Sequence, residues 1–197
     1  MTNEEIRALV SEQEDYVIHM RREFHKHPEL SGKEIHTREF LIRELEEMGV
    51  PYKKLKGTGL IAEIKGAKPG KNRVLRADID ALPLQEDAEN LKQKKACVSE
   101  IEGVCHACGH DGHMAVLLGT MKVLCKMREE LEGTVYCCFE EGEETNCGID
   151  TMMEALVPEL ENLSKGQSLM AILSNLATES LVTATCRLST RFLSRNK

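Results

Sequence analysis

The first twenty residues, MTNEEIRALVSEQEDYVIHM, have neither a basic start nor an unbroken apolar run, so nothing in them reads as a secretory signal. No stretch of the chain approaches the length of a membrane-spanning helix, and no membrane association is expected. A basic footprint is also missing. The net charge is −7 and the two signs are mixed along most of the length, which argues against nucleic acid as a partner. There is no internal repeat and no low-complexity tract. The eight cysteines lack an export signal, which points to a reducing compartment, the cytoplasm by default. There, thiols serve packing, metal binding or catalysis rather than disulfides.

What is present is the composition of a globular protein. The 197 residues are 41% hydrophobic and 30% charged, enough for one sizeable core. Residues 3–25 place Ile6, Leu9, Val10, Tyr16, Val17, Met20 and Phe24 at helical spacing, and His27-Pro28 ends that stripe because proline disfavours helix in the residue before it. Residues 34–48 predict a second amphipathic helix closed by Gly49 in the C-cap role. Beyond Pro51 the pattern turns to strands. Leu60–Ile64, Val74–Ala77 and Thr134–Phe139 each follow a turn or loop, and a helix is predicted from about His110–Asp111 through Leu124. Residues 84–103 read as a polar, irregular surface excursion. Strand, helix and strand in alternation predict an α/β fold whose sheet is at least partly parallel. In such sheets functional groups gather at the carboxyl ends of strands, where Asp78, Asp80, Glu143 and Glu144 fall.

The densest chemistry is Cys105-His106-Ala107-Cys108-Gly109-His110-Asp111-Gly112-His113. Thiolate and imidazole are preferred ligands of zinc and related ions. A helix starting near His110 would put His110 and His113 on one face. Other readings compete. Cys105 and Cys108 are half of a structural zinc site, but no second Cys-x-x-Cys pair exists. A redox pair has no support from the residues between and after the cysteines. A closed interaction module on Cys105, Cys108, His110 and His113 would crowd four ligands into nine residues and leave the acids without a role. Buried cysteines and helix-start histidines are the plainest alternative.

The second cluster, Glu140-Glu141-Gly142-Glu143-Glu144, would pass for a solvated loop if it stood alone. Directly after a strand, however, adjacent carboxylates can divide two jobs, one holding a cation and the other moving a proton.

Four ordered motifs carry a resemblance. They are Arg21–Glu29 with Glu34 and Thr37, Leu75–Pro83, His106–His113, and Phe139 with Glu143-Glu144. Over roughly residues 15–156 the chain resembles the amidohydrolase branch of the aminoacylase and carboxypeptidase metallopeptidases. That branch includes hippurate, indoleacetyl-amino-acid and aminobenzoyl-glutamate hydrolases. Glu140-Glu141-Gly142 stands where Gln-Pro-Ala is common in that family.

The resemblance implies part of a three-layer α/β sandwich with a mixed sheet, lacking the family's lid domain. It implies hydrolysis of an amide bond in a small N-acyl amino acid, using two divalent ions (zinc, manganese or cobalt). Cys108, His110 and Glu144 become metal ligands and Glu143 the general base. Asp78 and Asp80 become supports that orient ligands. His25, His27, His106 and His113 are left to packing and helix-start hydrogen bonds, and Cys105, Cys125, Cys137, Cys138 and Cys147 are expected to be small buried residues.

The family also uses two later histidine ligands, whereas no histidine follows His113 here. Residues 1–156 are therefore expected to be the amino-terminal part of the catalytic domain. Residues 157–197, which carry no acid after Glu179, are expected to be an unassigned tail, the product of truncation or a frame shift. The alternative function is an inactive remnant of the family that retains partial metal binding. A sheet missing its later strands would also expose an apolar face and an edge, so self-association is expected.

Overall fold

The computed structural model describes residues 1–89 and 94–160. The element order is α1 (Asn3–Ser11), α2 (Glu14–Lys26), α3 (Ile35–Glu47), β1 (Tyr52–Lys54), β2 (Leu60–Lys65), β3 (Arg73–Asp78), α4 (His110–Lys126), β4 (Thr134–Glu140) and α5 (Ile149–Leu156). Short 3-10 turns cover Glu143–Thr145 and Val157–Leu160. The rest of the tail, residues 161–197, lies outside the described residues.

The sheet order is β1-β2-β4-β3. β1–β2 and β2–β4 are antiparallel, and β3–β4 is parallel. The mixed, partly parallel α/β sheet expected from the alternation of elements is what the chain forms. Parallel neighbours need a crossover, and α4 makes the return from β3 to β4 across one face.

Side chains alternate along each strand and build two cores. Leu60, Ala62, Ile64, Ala77, Val135, Cys137 and Phe139 pack with α2, α3 and α4. Ile61, Val74, Tyr136 and Cys138 face the other way and meet Met152 and Leu156 of α5. Helices thus lie on both faces of the sheet. That is why β4 is apolar at nearly every position instead of alternating with polar residues.

The single helical stripe predicted over residues 3–25 is two helices. α1 begins with a capping box in which Thr2 and Glu5 exchange hydrogen bonds, satisfying amide donors that have no partner within the helix. It stops at Glu12, and Gln13 is the first residue before α2. The buried Gln13 donates its side-chain amide to the Leu9 carbonyl, replacing a helical partner at the break. The apolar spacing runs on across this joint, so periodicity alone did not reveal it. β1 was also not anticipated; its three residues are too few to show a pattern. α3 ends as predicted, with Gly49 at φ 64°, a conformation that glycine adopts without a Cβ penalty.

Candidate metal centre

Three chain segments meet at the carboxyl ends of β3 and β4. β3 delivers Asp78, and Asp80 follows it. The loop before α4 delivers Cys108, and Gly109 turns left-handed at φ 87°, so that His110 opens the helix. After β4, Gly142 and Asn146 both adopt left-handed conformations around the 3-10 turn that carries Glu143 and Glu144. The tight turn at Gly142 lets both acids fold back over the strand end instead of continuing away from it.

Two buried carboxylates hold this turn from below. Glu34 is fully buried and accepts from the Gly142 amide at 2.9 Å and from the Thr58 hydroxyl at 2.5 Å. Glu141 accepts from the Gly59 amide at 2.5 Å. A Cβ at Gly57 would run into the Glu141 carboxylate, so the absence of a side chain there leaves room for that acid. The family position commonly held by proline is occupied here by an acid with a structural bond. These roles of Glu34 and Glu141 leave no local pattern, because their amide partners lie 108 and 82 residues away in the chain.

Asp80 organises the centre. It is fully buried, and its Oδ2 accepts from the Ser31 hydroxyl at 2.7 Å and from the Glu144 amide at 3.0 Å. His110 Nδ1 lies 2.9 Å from the Asp80 carbonyl and 3.2 Å from Asp80 Oδ1. This bonding occupies Nδ1 and leaves Nε2 as the open ring nitrogen. Nε2 faces Glu143 Oε2 at 3.8 Å, Glu144 Oε1 at 3.9 Å and Asp78 Oδ2 at 3.9 Å. Cys108, two residues before His110, is exposed at the rim of this group. Glu144 Oε1 is buried with no hydrogen-bond partner among the described residues.

The charges of the site act on one another. Burial alone would depress His110, but its bonds to Asp80 and the charge of Asp78 raise it to about 9. Burial would raise Asp80, yet its bonds to His110, Ser31 and the Glu144 amide hold it at about 2. The Glu144 carboxylate, together with burial and the charges of Glu143 and Asp80, pushes the Cys108 thiol up to about 11. Without a cation the pocket is rich in negative charge and keeps protons on its nitrogen and sulfur. A divalent ion would replace those protons as the counter-charge.

A separate network supports the start of α4. Asp111 Oδ2 receives Arg21 Nε at 2.7 Å and lies 2.8 Å from His25 Nδ1, and His25 Nε2 lies 3.2 Å from Glu86. Glu86 also accepts from Lys95 and the Ser99 amide, so these three residues of the 84–103 surface excursion are tied to α2 through His25. His106 was expected to take packing or hydrogen-bonding duty at the helix start. It is buried, neither ring nitrogen has a hydrogen-bond partner among the described residues, and burial pushes it down to about 4. Only packing remains for it. Of the cysteines expected to be buried, Cys105, Cys137 and Cys138 are, whereas Cys125 is half-buried and Cys147 is exposed.

A model of peptidase family M20/M25/M40 matches residues 74–181. The chain is 45% identical over 144 residues to the N-acetylcysteine deacetylase of Bacillus subtilis, an alignment covering 71% of this chain and 36% of that protein. It is 40% identical over 156 residues to thermostable carboxypeptidase 1 of Saccharolobus solfataricus, covering 77% of this chain and 38% of that one. Among solved structures, a dinuclear metal-binding peptidase of the M20 family from Bacillus subtilis superposes with a TM-score of 0.69 at 42% identity. That superposition covers 78% of this chain and 42% of that one.

The described residues form an α/β domain like that of the superposed M20 peptidase. The chain belongs to peptidase family M20/M25/M40. It spans about two fifths of the length of the curated relatives it matches.

Proposed function

We propose that this chain carries the amino-terminal half of the catalytic domain of a metal-dependent amidohydrolase, one that cleaves the amide bond of a small N-acyl amino acid. What supports this reading is that His110 Nε2 lies 3.9 Å from Glu144 Oε1 across two segments, with Cys108 two residues before His110. The open nitrogen of His110 faces a buried carboxylate oxygen that lacks a donor among the described residues. Sulfur, nitrogen and oxygen donors in this combination suit a borderline divalent ion such as zinc, cobalt or manganese.

Cys108, His110 and Glu144 would hold such an ion, with Asp80 fixing the His110 ring. Bound divalent ions would supply Lewis-acid polarisation of the scissile carbonyl and a lowered pKa for the attacking water. Glu143 is the more exposed acid of the pair, 39% against 21% for Glu144, which suits the one that exchanges protons with substrate. It takes a proton from the water as oxygen adds to the carbonyl carbon. It then delivers that proton to the amine nitrogen as the C–N bond breaks. Glu144 is held by its own amide on Asp80, which suits a fixed ligand. The seven cysteines among the described residues are free thiols, and we place the protein in the cytoplasm. No helix among the described residues is long and apolar enough to cross a membrane.

The test is incubation with zinc, manganese or cobalt and a panel of N-acyl amino acids, reading free amino acid. Release that falls at least a hundredfold in Glu143→Gln with metal retained supports the reading, since general acid–base catalysis contributes about 10²–10⁴-fold. Metal uptake without any release would show instead that these residues form a metal-holding but non-catalytic half-site.

A further inference from the structure

His110 Nε2 offers a single lone pair, yet two different sets of side chains surround it. One set is Glu143 and Glu144. The other is Asp78 and His113, which together with His110 present three ligand atoms all within 4.8 Å of one another. His113 follows His110 by three residues on α4, so the two rings lie along one helix face, with centroids 5.3 Å apart and planes inclined by 31°.

A single oxygen ties this second set together. Asp78 Oδ2 lies 3.3 Å from His113 Nδ1 and 3.9 Å from His110 Nε2. The other oxygen, Oδ1, is held by Arg76 at 2.6 Å, and Arg76 is itself anchored by Glu140 at 2.7 Å. The arginine therefore turns Asp78 so that only Oδ2 faces the imidazoles. Such spacings suit ligands sharing one ion, because bonds of about 2.0–2.2 Å set at tetrahedral angles separate ligand atoms by a little over 3 Å. His113 is 53% exposed, which gives an ion a path from solvent.

We propose that Asp78, His110 and His113 form a second seat for a divalent transition ion. This seat excludes occupation of the Cys108–His110–Glu144 seat, because both require the same nitrogen. The seat stands on its own geometry; only the exclusion rests on the proposed function. The residues around His110 accordingly hold one ion at a time, either on the sulfur-containing side or on the all-imidazole-and-carboxylate side. Two imidazoles and a carboxylate are a common donor set for zinc and cobalt.

Cobalt(II) titration of the full chain distinguishes the seats, since only the Cys108 seat gives a sulfur-to-cobalt charge-transfer band in the near ultraviolet. Equilibrium dialysis of the wild type is expected to give one cobalt per chain. Cys108→Ser is expected to lose the charge-transfer band and keep visible cobalt bands. Adding His113→Ala or Asp78→Asn to Cys108→Ser should then weaken cobalt binding at least tenfold, with far-ultraviolet circular dichroism confirming the fold of each variant. Loss of all cobalt in Cys108→Ser would overturn the second seat and leave the proposed function standing. Cobalt binding in Cys108→Ser that ignores both additional substitutions would also overturn it. Two tightly bound cobalt ions per wild-type chain would overturn the exclusion. His113-dependent binding with no charge-transfer band in the wild type would support the second seat and count against Cys108 as a ligand.

Discussion

Asp80 has no solvent exposure and spends its oxygens on three partners: the Ser31 hydroxyl, the Glu144 amide and the His110 ring. One residue therefore fixes both the imidazole and the backbone of the acid across from it. Asp80→Asn replaces a charged acceptor with an amide that has one acceptor oxygen. It should lower divalent-metal affinity about 10–100-fold, the usual cost of losing an orienting partner of a ligand. Isothermal titration calorimetry with zinc measures this, and an unchanged affinity would show that His110 needs no such support. His25 makes a different prediction. Burial alone would depress it, but Asp111 and Glu86 more than offset that and raise it above its ordinary 6.5, with the nearby Arg21 cation opposing. A histidine with a raised folded value gives its full stabilisation below the unfolded value, and loses it as pH rises through the folded one. Lys95 also contacts Glu86, and Arg21 contacts Asp111. The melting temperature lost in His25→Gln should thus be largest below the ordinary histidine value of 6.5 and shrink as the pH is raised above it. A loss that is the same at both ends would mean that packing, not charge, is what His25 contributes.

The loop from Glu140 to Gly148 works as a unit because it closes on itself. The Thr145 and Cys147 amides both donate to the Gly142 carbonyl, and Glu34 holds Gly142 from beneath. A Cβ at Gly148 would collide with the Glu141 carbonyl, and backbone cannot step aside as a flexible side chain can. Gly148→Ala should therefore displace the turn that carries Glu143 and Glu144, and metal affinity should drop with it; affinity equal to wild type would show that the turn tolerates the shift. α4 is the other element that sets the site. Leu118 on it is fully buried in the larger core, and Leu118→Ala should cost about 2–5 kcal/mol, read from urea unfolding. Much of these elements could be read in advance. β2, β3, β4, α3 and α4 announce themselves by apolar spacing and flanking turns, and the clusters Cys105–His113 and Glu140–Glu144 stand out by composition, while the choice of Cys108, His110, Glu143 and Glu144 within them came from the family resemblance. The joint at Gln13 was hidden because apolar residues keep their spacing across it. The supporting bonds of Glu34 and Glu141 were hidden for another reason: a carboxylate that bonds a distant amide leaves no local pattern. The orienting role of Asp80 was expected from the family resemblance.

For the whole molecule, the parallel pairing of β3 with β4 brings Asp78, Asp80, Glu143 and Glu144 to one end of the sheet. Among the described residues, the four-stranded order also leaves β3 at an edge, the kind of strand that can template another. We propose that the 197-residue chain self-associates through this edge. Sedimentation velocity should show a concentration-dependent rise in mass, and a single monomeric species up to high concentration would contradict it. The proposed function turns on a smaller volume, where the Cys108 thiol and His110 imidazole of one segment and the Glu144 carboxylate of another are proposed to share one cation. An anomalous-difference map from crystals of the zinc-loaded protein tests it most directly. The account predicts a peak bonded to Cys108 Sγ at about 2.3 Å, and to His110 Nε2 and a Glu144 oxygen at about 2.0–2.2 Å. A map with no zinc in contact with any of these three atoms, or one with Cys108 and Glu144 turned away from each other, would contradict it.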